Sequence, residues 1–117
     1  MQPEERDTAY LWDMLQAAEE VRDMVADRDL AAFLENRMLV RAVERGVEII
    51  GEAARRVSAD FAGAHPEVPW RTLIGQRNIL AHEYGHIDHE LLYRTVMDDV
   101  PGLIVQLQSL LPPLEPT

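Results

Sequence analysis

Residues 36–59 read NRMLVRAVERGVEIIGEAARRVSA and carry the clearest structural pattern in the chain. Apolar and small residues recur there at alternating steps of four and three, which predicts one long helix with a single buried stripe. Asn36 is a good N-cap for this helix, and we expect the helix to run to about Ala59. Such a seam is typical of helices that pack nearly antiparallel in a bundle, and it consists of Leu39, Val43, Gly46, Ile50, Ala53 and Val57.

Two glycines, Gly46 and Gly51, lie inside this predicted helix. A glycine weakens a helix interior by up to ~1 kcal/mol, so its presence indicates that another helix approaches closely. We expect Gly51 to be the better candidate for that contact.

The preceding segment predicts a first helix from about Asp7 to Ala26, with Asp7 as its cap. Its buried stripe contains Leu11, Met14, Leu15, Ala18, Val21, Met24 and Val25. Its acidic side is interpreted either as a solvated face or as a docking face for a basic partner. A short turn around Phe33 then leads to Asn36.

The following segment, residues 61–69, has two prolines, one glycine and no periodicity, so we interpret it as a connector. Pro69 is placed to open a third helix of about twelve residues. This helix should end near His82, because Gly85 follows.

Asp88 can cap a fourth helix, which Pro101 interrupts. A proline in a helix interior costs ~3 kcal/mol or more, so we expect a kink or a restart capped by Asp98 or Asp99. The sequence as a whole therefore predicts an all-α, up-down four-helix-type bundle with a kinked last helix, in one domain over residues 1–117.

Composition excludes several classes of protein. The chain has no cysteine, which excludes disulfides, thiol catalysis and cysteine-ligated zinc. No apolar run approaches the ~20 residues that span a bilayer, so we expect a cytoplasmic protein. The net charge of −10 argues against phosphate binding, but residues 37–82 carry five acids and seven arginines and form the only basic third.

The chemistry is concentrated in residues 69–84, PWRTLIGQRNILAHEY, which contain an R-x4-H-x-Y pattern at Arg77, His82 and Tyr84. An arginine offers forked, permanently charged donors to phosphate, and a histidine exchanges a proton near neutral pH. Together they suit RNA cleavage without a metal or another cofactor. In this hypothesis, His82 takes the proton of a ribose 2′-hydroxyl, which attacks phosphorus, and Arg77 stabilises charge on the phosphate oxygens.

Helical geometry places Arg77 and His82 ~140° apart around one helix axis. Either the helix unwinds at His82, or the site combines residues across a two-fold dimer in which both third helices meet. We favour a dimer with some fraying. Asn78 lies four residues before His82, so its amide can orient the imidazole or a phosphate.

Several segments together resemble the HepT-like ribonuclease toxins of the HEPN superfamily. They are residues 42–53 (AVERGVEIIGEA), Pro69-Trp70, residues 75–88 (GQRNILAHEYGHID) and the proline break at residues 98–101. The resemblance implies a homodimeric HEPN-like bundle with metal-independent endoribonuclease activity on RNA, in which Arg77 and His82 are catalytic and Asn78 assists. It also implies a type VII-like toxin–antitoxin system, in which a minimal nucleotidyltransferase antitoxin adenylylates Tyr84.

Other interpretations of the same residues stay open. His82, His86 and His89 with Asp88 superficially suggest a metal site, which we do not expect because Gly85 breaks their alignment. Glu52 has two possible partners, Arg56 on its own helix or an arginine of the active site. The stripe formed by Arg37, Arg41 and Arg45 is either paired within its helix, for instance Arg41 with Glu44 or Arg45 with Glu48, or an RNA-backbone track.

A function of another class is also compatible with the sequence. The chain could be a non-catalytic helical subunit that presents substrate or nucleotide to a separate nucleotidyltransferase, which would suit its acidic surface. The intact set of Arg77, Asn78, His82 and Tyr84 favours the enzyme.

Overall fold

Seven helices form the part of the chain that the computed structural model describes, which is residues 4–82 and 87–112, with residues 81 and 82 described by their backbone alone. They are α1 (Glu5–Val25), α2 (Leu30–Glu35), α3 (Arg37–Arg56), α4 (Ala59–Ala64), α5 (Trp70–His82), α6 (His89–Asp98) and α7 (Val100–Leu110). No strand occurs in these residues, so the all-α prediction is confirmed. None of these helices is long and apolar enough to cross a membrane.

The bundle is built around α3, which packs against α1 on one side and α5 on the other, while α6 and α7 close the bundle against α1. Of the predicted stripe, Val43, Gly46, Ile50 and Ala53 of α3 and the following Val57 are buried, and Leu39 is partly buried. The core consists almost entirely of aliphatic side chains, and Phe33 and Phe61 are its fully buried aromatic rings. This agrees with the low aromatic content, because helices pack well through Leu, Val, Ile and Ala.

Two predicted caps are confirmed. The Asn36 side chain accepts from the backbone N–H of Leu39 at 3.0 Å. The Asp88 side chain accepts from the N–H of Leu91 at 3.0 Å. Each satisfies one of the free donors that every helix leaves in its first turn.

The prediction that Asp7 caps α1 is wrong. The helix begins two residues earlier, with Glu4 in the cap position, and Asp7 lies inside the first turn and is only 4% exposed. Its carboxylate accepts from the N–H of Ser58 at 2.8 Å and from the Ser58 hydroxyl at 2.6 Å. Asp7 therefore links the start of α1 to the junction between α3 and α4.

The interpretation of residues 61–69 as a plain connector is also wrong in part. Ser58 accepts from the N–H of Phe61 and caps the six-residue helix α4. Because α4 begins at Ala59, α3 ends at Arg56 rather than near Ala59. A buried Phe61 and only one helical turn leave too little sequence for a periodic pattern. Pro69 lies just before α5, and its carbonyl accepts from the N–H of Leu73.

The predicted break at Pro101 is a restart. α6 ends at Asp98, and α7 begins at Val100 with Asp99 in the cap position and Pro101 in its first turn. The Asp99 side chain makes no capping hydrogen bond, although its N–H donates to the carbonyl of Thr95. The chain therefore turns from α6 into α7 with the proline where no helical N–H is lost.

Close approach at both glycines of α3 is confirmed. A Cβ at Gly46 would overlap Val21 of α1, and a Cβ at Gly51 would overlap the Arg77 side chain and the Leu73 carbonyl of α5. At Gly51, α5 lies too close to α3 for any side chain to fit. This contact places the Cβ and Cγ of Arg77 directly beside Gly51.

Candidate active site

Arg77 lies on the face of α5 that packs against α3. Leu73 and Leu80 are both buried on that face, and Arg77 is four residues after the first and three before the second. Its side chain is consequently only 24% exposed, although it belongs to a residue type that is mostly found at the surface. α5 therefore packs the Arg77 side chain against α3.

Glu52 of α3 is the carboxylate that meets Arg77. Its Oε2 lies 3.0 Å from the Nε of Arg77, and its Oε1 accepts from Arg55 at 2.9 Å and from Arg56 at 3.0 Å. The two partners left open by the sequence are therefore both present. One carboxylate joins three guanidinium groups from two helices.

The contact between Glu52 and Arg77 is sealed from water. Both Oε2 and Nε are buried, and neither makes a hydrogen bond of good geometry with the described residues. At 3.0 Å the two atoms still form an ion pair, so each balances the charge of the other. The N–H does not point directly at the oxygen, and the attraction is mainly Coulombic.

These arginines keep Glu52 ionised. Hydrogen bonds from Arg55 and Arg56, followed by the charges of Arg55 and Arg77, lower the pKa of Glu52 to about 2, against a partial desolvation that raises it. A carboxylate with so low a pKa holds its proton too weakly to act as a general base at neutral pH.

Asn78 contacts Arg77 directly. The Nη1 of Arg77 donates to the Asn78 side-chain oxygen at 3.1 Å, at the exposed surface of α5. The sequence did not predict this contact with Arg77, and the expected role of Asn78 in orienting the imidazole or a phosphate stays a prediction. The side chain of His82 and the whole of Tyr84 lie outside the described residues.

A groove of about 440 Å³ opens beside this cluster between α1 and α3. Its lining includes Tyr10 and mixes charges of both signs, from Asp13, Arg45, Glu48, Glu52, Arg56 and Arg77. Hydrogen bonds from Arg6 and Arg56 lower the pKa of the Tyr10 hydroxyl. Tyr10 was not predicted from the sequence, because only the packing of α1 on α3 brings it within reach of Arg56.

The arginine stripe of α3 is divided between two places. Arg45 lines the groove beside Arg77 and pairs with Glu48 at 3.2 Å, as one of the two interpretations expected. Arg37 and Arg41 line a different groove, where Glu44 pairs with His89 at 2.9 Å rather than with Arg41. An RNA track along all three arginines therefore stays a prediction.

The suggested metal ligands are not assembled in the described part of the chain. His89 is engaged by Glu44, and the His82 side chain and His86 lie outside the described residues.

Comparison with known proteins gives a consistent result. Residues 14–110 match the family model described as "Ribonuclease HepT-like". The chain is 45% identical over 95 residues to "Putative RNase MJ1380" of Methanocaldococcus jannaschii, covering 81% of this chain and 87% of that protein. It is 36% identical over 101 residues to "Probable ribonuclease HepT" of Thermococcus cleftensis, covering 86% and 92%.

No solved structure shows significant similarity to this chain. The family match spans six of the seven helices in full or nearly so, and it includes both Glu52 and Arg77. The resemblance drawn from the motif is confirmed, and the chain belongs to the HepT-like ribonuclease family.

Proposed function

We propose that this chain is an endoribonuclease that cuts RNA without a metal ion, with His82 as general base and Arg77 as the group that stabilises the phosphate. The proposal is supported by the family of the chain and by the names of its relatives. The observation that carries it is the place of Arg77, which is anchored between two helices at the wall of an open groove, on the helix that ends at His82.

In the proposed reaction, neutral His82 removes the proton of a ribose 2′-hydroxyl. The 2′-oxygen forms a bond to the adjacent phosphorus while the bond from phosphorus to the 5′-oxygen breaks, and that oxygen takes a proton from water and leaves as a 5′-hydroxyl. The other product is a 2′,3′-cyclic phosphate. Arg77 donates to the phosphate oxygens as charge builds on them, and such donors typically contribute ~10²–10³-fold in rate.

We further propose that the complete site forms between two copies of the chain, because Arg77 and His82 are separated by ~140° around α5. Two large apolar side chains, Ile79 of α5 and Leu91 of α6, are 47% and 62% exposed and line one shallow groove. An exposed apolar patch of this kind favours contact with another protein surface. A two-fold pairing of α5 helices would cover it and bring two motifs together.

Regulation of the proposed nuclease follows from the family resemblance. In this proposal the protein is a cytoplasmic toxin, and a minimal nucleotidyltransferase antitoxin adenylylates Tyr84. The added phosphodiester would place bulk and negative charge beside His82, where the RNA phosphate must bind, so it would exclude substrate.

The nuclease proposal is tested by incubating the purified protein with RNA, with and without EDTA, beside His82→Ala. We expect cleavage that is indifferent to EDTA and absent from the variant. Equal cleavage by the two proteins would identify a contaminant and favour a non-catalytic subunit of a nucleotidyltransferase complex.

The regulatory proposal is tested by co-expression with the partner nucleotidyltransferase and intact-mass analysis. We expect a mass increase of one or more adenylate groups that Tyr84→Phe abolishes. An inhibited complex with unmodified Tyr84 would show that the partner blocks the site by binding alone.

A further inference from the structure

We infer that Glu52 is the positioning residue of the active site: it holds the Nε edge of Arg77 so that the other edge of the guanidinium meets the scissile phosphate. The inference rests on the proposed ribonuclease function. It gives a role to a residue that makes no contact with the reacting groups itself.

The backbones of α3 and α5 run close together at Gly51. Gly51 has no side chain, and any Cβ there would overlap Arg77 and the carbonyl of Leu73. α5 therefore lies close enough for the Arg77 side chain to start directly over α3. The next residue along α3 is Glu52, and its carboxylate meets the guanidinium at 3.0 Å.

The contact between Arg77 and Glu52 is buried. Nε of Arg77 and Oε2 of Glu52 are both closed off from solvent, and they lie 3.0 Å apart. Removing one member of a sealed ion pair leaves the other charge without compensation. The buried ion pair therefore keeps the Nε edge of Arg77 on Glu52 and restricts rotation of the guanidinium.

Two of the five N–H donors of the Arg77 guanidinium already face a partner. A guanidinium has five N–H donors, of which Glu52 faces the one on Nε and Asn78 accepts one on Nη1. Among the described residues no group accepts from the second N–H of Nη1 or from either N–H of Nη2, which leaves these three donors for substrate. We therefore expect the phosphate to be bound end-on, through the two terminal nitrogens, and not through the Nε side.

The other carboxylate oxygen of Glu52, Oε1, is held by two arginines of α3. Arg55 and Arg56 both donate to Oε1, which leaves Oε2 directed at Arg77. They also keep the carboxylate charged, since its pKa is about 2. Glu52 is therefore suited to orienting a cation and unsuited to taking a proton from the 2′-hydroxyl.

The kinetic test compares Glu52→Gln and Glu52→Asp with the wild-type chain on a labelled single-stranded RNA. Glu52→Gln removes the charge and turns an amide toward Nε, so we expect kcat to fall by about 10²-fold, the cost of a misplacement near 1 Å, with KM changed less than about threefold. Glu52→Asp keeps the charge and should recover part of kcat. Glu90→Gln breaks the exposed pair with Arg94 on α6 and serves as the matched control with wild-type kinetics.

Two kinetic results would overturn the inference. One is a Glu52→Gln variant with kcat within threefold of wild type. The other is a Glu52→Asp variant as slow as Glu52→Gln with an equally lowered melting temperature, which would assign Glu52 a purely structural part.

A second readout is independent of activity. The Nε–H of Arg77 gives its own signal in ¹⁵N-edited NMR spectra, assigned by its absence from Arg77→Lys. We expect slow exchange with water in the wild type and fast exchange in Glu52→Gln. Equal exchange in both would refute the role of Glu52, even if the protein failed to cut RNA and the nuclease proposal had to be abandoned separately.

Discussion

Asp7 is a buried carboxylate that joins two places 51 residues apart in the sequence. Its two oxygens accept from the N–H and the hydroxyl of Ser58, and Ser58 in turn caps α4. A hydrogen bond to a charged group contributes more than a neutral one, because the full charge attracts the donor more strongly. This one residue therefore fixes the start of α1 against the end of α3.

We predict that Asp7→Ala lowers the free energy of unfolding by about 2 kcal/mol, because the N–H and the hydroxyl of Ser58 both lose their acceptor. Urea unfolding at neutral pH measures the change. The matched control is Asp27→Ala, an exposed acid, which should change stability by less than about 0.5 kcal/mol. Equal effects in the two variants would show that the Asp7 contact contributes nothing.

Glu52 provides a prediction about pH at the same scale. Its pKa is lowered from 4.5 to about 2 in the folded chain, so folding favours the ionised form. The resulting stabilisation is complete above the unfolded pKa and is lost as pH falls from about 4.5 toward 2. We expect the stability difference between wild type and Glu52→Gln to be constant from pH 7 to about 5 and to shrink below that.

Urea titrations at a series of pH values check this prediction. A difference that persists unchanged to about pH 2.5, well below the ordinary pKa of a glutamate, would contradict the assigned ion pairs.

At the residue scale the sequence predicted contacts better than geometry. The R-x4-H-x-Y pattern singled out Arg77, whose catalytic role stays a prediction, and the two partners considered for Glu52 are both present. Helical periodicity gives the angle between residues on one helix and says nothing about which helix faces them. Tyr10 and the contact of Asn78 with Arg77 were missed for that reason.

At the scale of elements, the spacing between α3 and α5 is set by Gly51. Nothing larger than hydrogen fits there, since the Cβ and Cγ of Arg77 and the Leu73 carbonyl fill the space. Gly46 makes the equivalent contact with Val21 on the opposite side of α3, toward α1. The two glycines therefore offer a pair of similar steric sites, one at the candidate active site and one away from it.

We predict that Gly51→Ala destabilises the fold by about 1–3 kcal/mol and lowers RNA cleavage about 10²-fold, because the inserted methyl pushes α5 and Arg77 outward. Gly46→Ala should cost similar stability and leave cleavage within about threefold of wild type. Both are assayed at a temperature where melting curves show each variant fully folded. Parallel losses of activity in both variants would show that α5 placement has no special part in the chemistry.

Helix boundaries were the least predictable feature at this scale. Asn36 and Asp88 were identified because a capping residue acts within three residues of itself. α4 escaped prediction because a single turn has no repeat, and its stability comes from the Ser58 cap and the burial of Phe61. Asp7 was misassigned because its partner lies in a distant part of the chain.

For the whole molecule, the central question is how a chain with a net charge of −10 acts on RNA. The charge is uneven, and four arginines lie around Glu52 and Glu48 on α3 and α5. A locally cationic site on an acidic molecule can bind phosphate while the remaining surface repels it, which limits non-specific binding. The proposed pairing of two copies would bring two such sites together.

Complementation tests that pairing. If each site takes Arg77 from one copy and His82 from the other, a hybrid of Arg77→Ala and His82→Ala chains contains one intact site. Random mixing should then restore about a quarter of wild-type activity, since half of the dimers are hybrids and each has one working site of two. Unfolding and refolding the mixed, separately inactive variants provides the measurement, and activity no higher than that of either variant alone would show that each site uses one chain.

The chemistry of the cleaved ends tests the proposed reaction most directly. A synthetic RNA is digested by the wild type, Arg77→Ala and His82→Ala, and the products are identified by mass spectrometry, beside the same oligonucleotide with 2′-deoxyribose throughout. The account predicts 2′,3′-cyclic phosphate and 5′-hydroxyl ends from the wild type alone, and an intact deoxy oligonucleotide. Products with 5′-phosphate ends, or equal cutting of the deoxy oligonucleotide, would contradict it.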